Sequence, residues 1–140
     1  MRALLDTCVV LDALQNREPF SSAAKSIFLA AANQLYCGYV SAKAVTDIYY
    51  LMHRHTHSDK ASREVLNKLL ILFDILDTAG IDCRRAIPSA TVDFEDAVMI
   101  ETALRSEVDC IVTRNKSDYT HSPVAIYSPD EFLNILSSEV

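Results

Sequence analysis

Short apolar runs alternate with longer segments of helical periodicity along the whole chain, and this alternation restricts the fold more than any other feature. Residues 2 to 5 (Arg-Ala-Leu-Leu) read as a strand ending at Asp6, followed by a helix from Thr7 to about Gln15 with Val9, Leu11 and Leu14 apolar. After a break at Arg17-Glu-Pro-Phe20, Ser21 or Ser22 caps a helix through about Asn33. Leu35 to Val40 is the next strand, and Ser41 caps a helix carrying Val45, Ile48, Tyr49 and Met52. A long helix opens at Ser58 or Asp59, with Val65, Leu66, Leu69, Leu70, Phe73 and Leu76 at helical spacing, and Gly80 ends it. Ile81 to Arg84 then reads as a short third strand, Ser89 to Val92 as a helical turn, and Asp93 as the cap of a helix with Val98, Ile100, Ala103 and Leu104. Asp109 to Thr113 and Val124 to Tyr127 are strands, and Pro129 starts a final helix where its missing N–H is harmless. Such an order predicts an α/β fold, a parallel sheet covered by helices on both faces, with ligands gathered at the carboxyl ends of the strands.

With 140 residues, half of them hydrophobic, and only two glycines, the chain is expected to form a single domain over 1–140 without a linker. No apolar run approaches the roughly 18 residues of a membrane span, so a soluble, cytoplasmic protein without membrane contact is expected. Cys8, Cys37, Cys83 and Cys110 are scattered singly, which suits reduced thiols better than a zinc site or a disulfide framework. A net charge of −6 argues against an extended polybasic surface. Any nucleic-acid partner must therefore be met by metal ions and a few local cations.

The acids fall in a pattern. Asp6 follows the first strand, Asp47 lies early in the helix after the second, and Asn115 and Asp118 follow the Ile111-Val-Thr113 strand. Asp96, one turn into its helix, shares a face with Ile100, Ala103 and Leu104 and needs a partner if buried there. Carboxylates brought together repel one another, and a hard cation with several oxygen ligands is the natural compensation. Mg²⁺ or Mn²⁺ fits, and such a site hydrolyses phosphodiesters without a side-chain nucleophile.

The run Leu4-Leu-Asp-Thr-Cys-Val-Val-Leu-Asp12, the stretch Val40-Ser-Ala with Asp47-Ile-Tyr-Tyr, Asp93-Phe-Glu-Asp-Ala97, Thr113-Arg-Asn-Lys-Ser-Asp-Tyr119 and Ser128-Pro-Asp-Glu-Phe-Leu133 together resemble PIN-domain proteins, in order and over essentially the whole chain. The resemblance implies a three-layer α/β/α sandwich, a Mg²⁺- or Mn²⁺-dependent endoribonuclease site, and the role of a VapC-like toxin in a toxin–antitoxin pair. By position it implies Asp6, Asp47, Asp96 and Asp118 as catalytic acids, with Asn115 joining them as a metal ligand and Thr7 and Thr113 orienting ligands or phosphate. Asp47 stands where the family usually has Glu, and Cys8 where it often has Asn.

Each residue also has a plainer reading. Asp6 is a good helix cap, Asp47 an ordinary solvated helix residue, Asp118 a turn former, and either Asn115 or Asp118 can fill the last position. Arg114 and Lys116, with Lys43, Arg54 and the histidines at 53, 55 and 57, form either a substrate-binding rim or solvated surface. The apolar surplus on the helices offers a homodimer face or a seat for an antitoxin helix. Competing with the ribonuclease reading are a metal-incompetent RNA- or protein-binding module, permitted by the Asp47 and Cys8 departures, and a phosphoacceptor receiver, which lacks the acidic pair it would need after the first strand.

Overall fold

The computed structural model describes residues 1–139. Strands β1 (Arg2–Leu5), β2 (Cys37–Ser41), β3 (Asp74–Leu76), β4 (Cys110–Val112) and β5 (Ala125–Tyr127) form one sheet in the order β3-β2-β1-β4-β5. Every pairing is parallel. Between them run the helices α1 (Thr7–Leu14), α2 (Ser21–Ala32), α3 (Ala42–Thr56), α4 (Asp59–Leu72), α5 (Gly80–Ala86), α6 (Phe94–Arg105) and α7 (Pro129–Ser138). None is long and apolar enough to cross a membrane among the described residues.

Side chains alternate across the sheet, as a two-residue period requires, and both faces are covered. Ala3, Leu5, Val40, Cys110 and Val112 join a core with Val9, Val10, Ile27, Ile48, Leu69 and Phe132, so the helices α1 to α4 and α7 cover that face. Leu4 and Ile111 point the other way, into a cluster with Ile100, Ala103, Tyr119 and Val124 under α6. The three-layer α/β/α sandwich expected from the sequence is present. β2 and β4 flank β1 on opposite sides, so the direction of winding reverses between β1 and β4. Open α/β sheets bind their ligands at the carboxyl ends of the strands beside such a reversal.

Three elements differ from the sequence reading. The helix expected to reach Gly80 stops at Leu72, because Phe73 turns extended (φ −127°, ψ 137°) and residues 74–76 pair with β2. Leu69 and Phe73 keep a helical spacing in sequence, yet both enter the core from different elements, so tertiary pairing overrides local periodicity. Ile81 to Arg84 is the body of α5, not a strand, and Gly80 begins that helix. There the Asp82 carboxylate accepts the Ala79 N–H at 2.9 Å and ties α5 to α6 through Thr102 and both Nε and Nη2 of Arg105. The turn expected at residues 89–92 is irregular chain.

Gly38 in β2 is set by close approach. A Cβ there would lie 2.5 Å from Cδ1 of Phe73, which is 1 % exposed and packs edge-on against Phe28. Gly38→Ala is therefore expected to lower stability by about 1–3 kcal/mol, as overpacked cores do. A urea titration checks this, with a reduced midpoint at unchanged slope as the expected result.

Candidate active site

Asp6 ends β1 and stands at the N-cap of α1 without using its side chain as a cap. Its backbone N–H donates to the Val112 carbonyl at 3.0 Å, joining the ends of β1 and β4. The carboxylate turns instead to β4: its Oδ2 accepts from the fully buried Thr113 hydroxyl at 2.8 Å and lies 3.3 Å from the Tyr119 hydroxyl. That same phenol lies 3.1 Å from Oδ1 of Asp96, so one O–H bridges two carboxylates and its single proton serves one of them at a time. Asp96 is placed by the start of α6, where Asp93 caps the helix by accepting the Asp96 N–H at 3.1 Å. Asp6 Oδ1 and Asp96 Oδ2 accept no hydrogen bond among the described residues.

The charges respond as close acids do. Burial pushes the Asp96 carboxyl up to about 6; the Tyr119 hydrogen bond opposes this, while the charges of Asp6, Asp93 and Asp118 add to it. Burial, and then the negative charge of Asp6 and Asp96, drives the Tyr119 phenol far above its ordinary value, so it stays protonated and keeps a proton to donate. Cys8, beside Thr113, is pushed up to about 11 by burial and by Asp6, and stays a neutral thiol.

Asp6, Thr7, Asp47 and Asp96 line one cavity of about 670 Å³. Asp47 meets it from α3, where Lys43 Nζ lies 2.6 Å from its Oδ2 and 3.3 Å from Glu95 Oε1. Asn115 and Asp118 do not line this cavity. They belong to a 3₁₀ turn (Lys116–Tyr119) in which the Asn115 carbonyl accepts the Asp118 N–H at 3.0 Å, and the Asp118 charge reaches Asp96. Among the described residues no three acidic, histidine or cysteine side chains are close enough together to close a cage around a metal.

The two proposed substrate cations are already paired. Arg114 donates from Nε and Nη2 to Asp12, 1 % exposed, at 2.7 and 3.2 Å, and its guanidinium sits over the Phe20 ring at 4.3 Å. Lys116 meets Glu131 at 2.8 Å. Sequence reasoning missed the bridging Tyr119. Its signal was weak, an aromatic closing a polar turn one residue after Asp118. Asp12, five residues after Thr7 and on the buried side of α1, was likewise given no role.

The family model of the PIN domain matches residues 2–117. The chain belongs to the PIN-domain family. No curated protein matches it in sequence. Among solved structures, this PIN domain is similar to VapBC-1 from nontypeable Haemophilus influenzae (TM-score 0.71, 14 % identity, covering 93 % of this chain and 99 % of that one). It is also similar to a toxin–antitoxin complex from Klebsiella pneumoniae (0.67, 20 %, covering 91 % and 97 %). A third is VapC20 of Mycobacterium tuberculosis, described as a Sarcin-Ricin loop cleaving toxin (0.63, 12 %, covering 84 % and 95 %). At these identities the likeness is one of fold.

Proposed function

We propose that this PIN domain is a divalent-metal-dependent endoribonuclease and the toxin of a toxin–antitoxin pair. The observation that carries the reading is the Tyr119-bridged pair of Asp6 and Asp96 at the sheet's reversal point, each with one carboxylate oxygen left free on a shared cavity. Two carboxylates completed by water are a common shell for Mg²⁺, and Mn²⁺ accepts the same hard oxygen donors, so the residues present fit the ion. When bound, the cation supplies acidification of water and neutralises charge that builds on a phosphodiester. Asp6 and Asp96 would hold it, Thr113 and Tyr119 fix the orientation of those carboxylates, and Lys43 would exchange Asp47 or Glu95 for the RNA backbone at the rim. Asp47, engaged by Lys43, and Asp118, in its turn, would act through water or at longer range. The likeness to toxin–antitoxin complexes supports an antitoxin as protein partner, and a homodimer belongs to the same reading.

The deciding experiment is calorimetric titration of Mn²⁺ into metal-stripped wild type and Asp6→Asn, paired with cleavage of single-stranded RNA. Uptake and cleavage by wild type, both lost in Asp6→Asn, is the expected outcome. One observation favours the second reading, a metal-incompetent RNA- or protein-binding module: Lys43 already fills the space against Asp47. Wild type that takes up no Mn²⁺ would select it.

A further inference from the structure

Two aromatic side chains wall the cavity of Asp6 and Asp96 without serving the core. Tyr50 is 67 % exposed and Phe94 52 % exposed, and both line the same space as the carboxylates. The elements that carry the acids also place these rings. Phe94 opens α6 two residues before Asp96, and Tyr50 lies on α3 three residues after Asp47, a spacing that puts both on one side of the helix. Tyr50 meets Tyr49 edge-on, centroids 5.9 Å apart and planes at 77°, which leaves at least one face of the Tyr50 ring clear of that neighbour.

We propose that Tyr50 and Phe94 are the base-stacking residues of this cleft, holding the unpaired nucleobases on either side of a phosphodiester seated at Asp6 and Asp96. The assignment rests on the nuclease reading above and adds how the substrate is held. A chain of net charge −6 with acids at the cavity gains little RNA affinity from phosphate contacts beyond what a held cation and Lys43 supply, and apolar contact with the bases adds to it. Stacking suits that need, because every base presents a π face whatever its hydrogen-bonding edge. Bases within a duplex are already stacked on both sides, so two such rings admit nucleotides from loops or single strands. Lys43, on the same cavity and between Asp47 and Glu95, adds one cation for the connecting phosphate. The rings share their cavity with carboxylates that would hold a cation for a phosphodiester, which favours a nucleotide over a segment of a partner protein.

The test is fluorescence anisotropy of a dye-labelled tetraribonucleotide, fully base-bearing or abasic at its two central positions, with Ca²⁺ as the divalent ion. It uses wild type, Tyr50→Ala, Tyr50→Phe and Phe94→Ala, with Mn²⁺ calorimetry and circular dichroism as controls for the acids and the fold. Wild type and Tyr50→Phe are expected to bind the base-bearing strand about tenfold or more tighter than the abasic one, and each alanine variant to lose most of that preference with Mn²⁺ uptake unchanged. Equal binding of the two strands by wild type, or an undiminished preference in both alanine variants, overturns the proposal. The latter result would place the base contact away from these rings. Base-dependent binding by a wild type that cleaves no RNA in Mn²⁺ supports the stacking residues and removes the nuclease reading, so the two fail separately.

Discussion

Asp96→Asn is expected to lose Mn²⁺-dependent RNA cleavage by at least about a thousandfold, while the metal-free protein becomes more stable at pH 7. The loss follows from removing one of two carboxylates that would hold a charge-neutralising cation, an effect worth several kcal/mol in the barrier. The gain follows from linkage. The Asp96 carboxyl titrates near 6 in the folded chain, against 3.8 as its ordinary value, chiefly because burial disfavours its charge. Between those values the folded state binds more protons than the unfolded state, so stability falls as pH rises through the window. Below about pH 4 the penalty is absent; above about pH 6 it is fully present. The group is only half-buried, so screening limits the penalty to about 1 kcal/mol. Chemical denaturation of both proteins without metal, at pH 4 and at pH 7, should show a gap in favour of Asn at pH 7 that closes at pH 4. An equal gap at both would remove the electrostatic account, and retained cleavage would remove Asp96 from the site.

Arg114→Ala is expected to cost about 3–5 kcal/mol of folding stability, because it strands the Asp12 carboxylate inside the protein without its partner. Asp12 is 1 % exposed and takes both of its hydrogen bonds from this one guanidinium. For a chain of this size the loss corresponds to a fall in Tm of roughly 10–17 °C. Arg114→Lys should recover little, since an ammonium cannot reproduce the two-pronged contact or the stacking on Phe20. A paired substitution, Asp12→Leu with Arg114→Met, should recover most of it, as apolar replacements of buried ion pairs often do. Thermal melts of the four proteins test this. An Arg114→Ala variant that melts like wild type but binds RNA more weakly would return Arg114 to the substrate rim.

How far the sequence could be read follows from the range over which each feature acts. Asp6 after the first strand, Ser41 and Asp93 as helix caps, and Pro129 in a first turn are decided within a few residues, and the structure has each in that place. The Lys43–Asp47 pair was within reach too, since the two stand four apart on a helix. β3 was hidden inside an apolar run because only pairing with β2 distinguishes it from one more helical turn. α5 was mistaken for a strand because its anchor, the ion pair of Asp82 with Arg105, spans 23 residues. Arg114 and Asp12 are 102 residues apart, and no local pattern joins them. The bridge from Tyr119 to Asp6 and Asp96 is of the same kind. Of the candidate acids, Asp6, Asp47 and Asp96 could be placed on one cavity from strand ends and helix starts, whereas the position of Asp118 depends on the path of a short turn.

The long reach of that bridge has a consequence for when the cleft is assembled. Asp6 meets Thr113 across 107 residues and Tyr119 across 113. During synthesis from the N-terminus, β1 waits with its carboxylate unsupported until β4 and the turn after it have emerged and docked. Chains ending before β4 hold the first acid without either of its hydroxyl donors, and chains ending before Tyr119 lack the link to Asp96. Assembly of the cleft is thereby tied to the arrival of β4 and the Tyr119 turn, more than a hundred residues along the chain from the acid they hold.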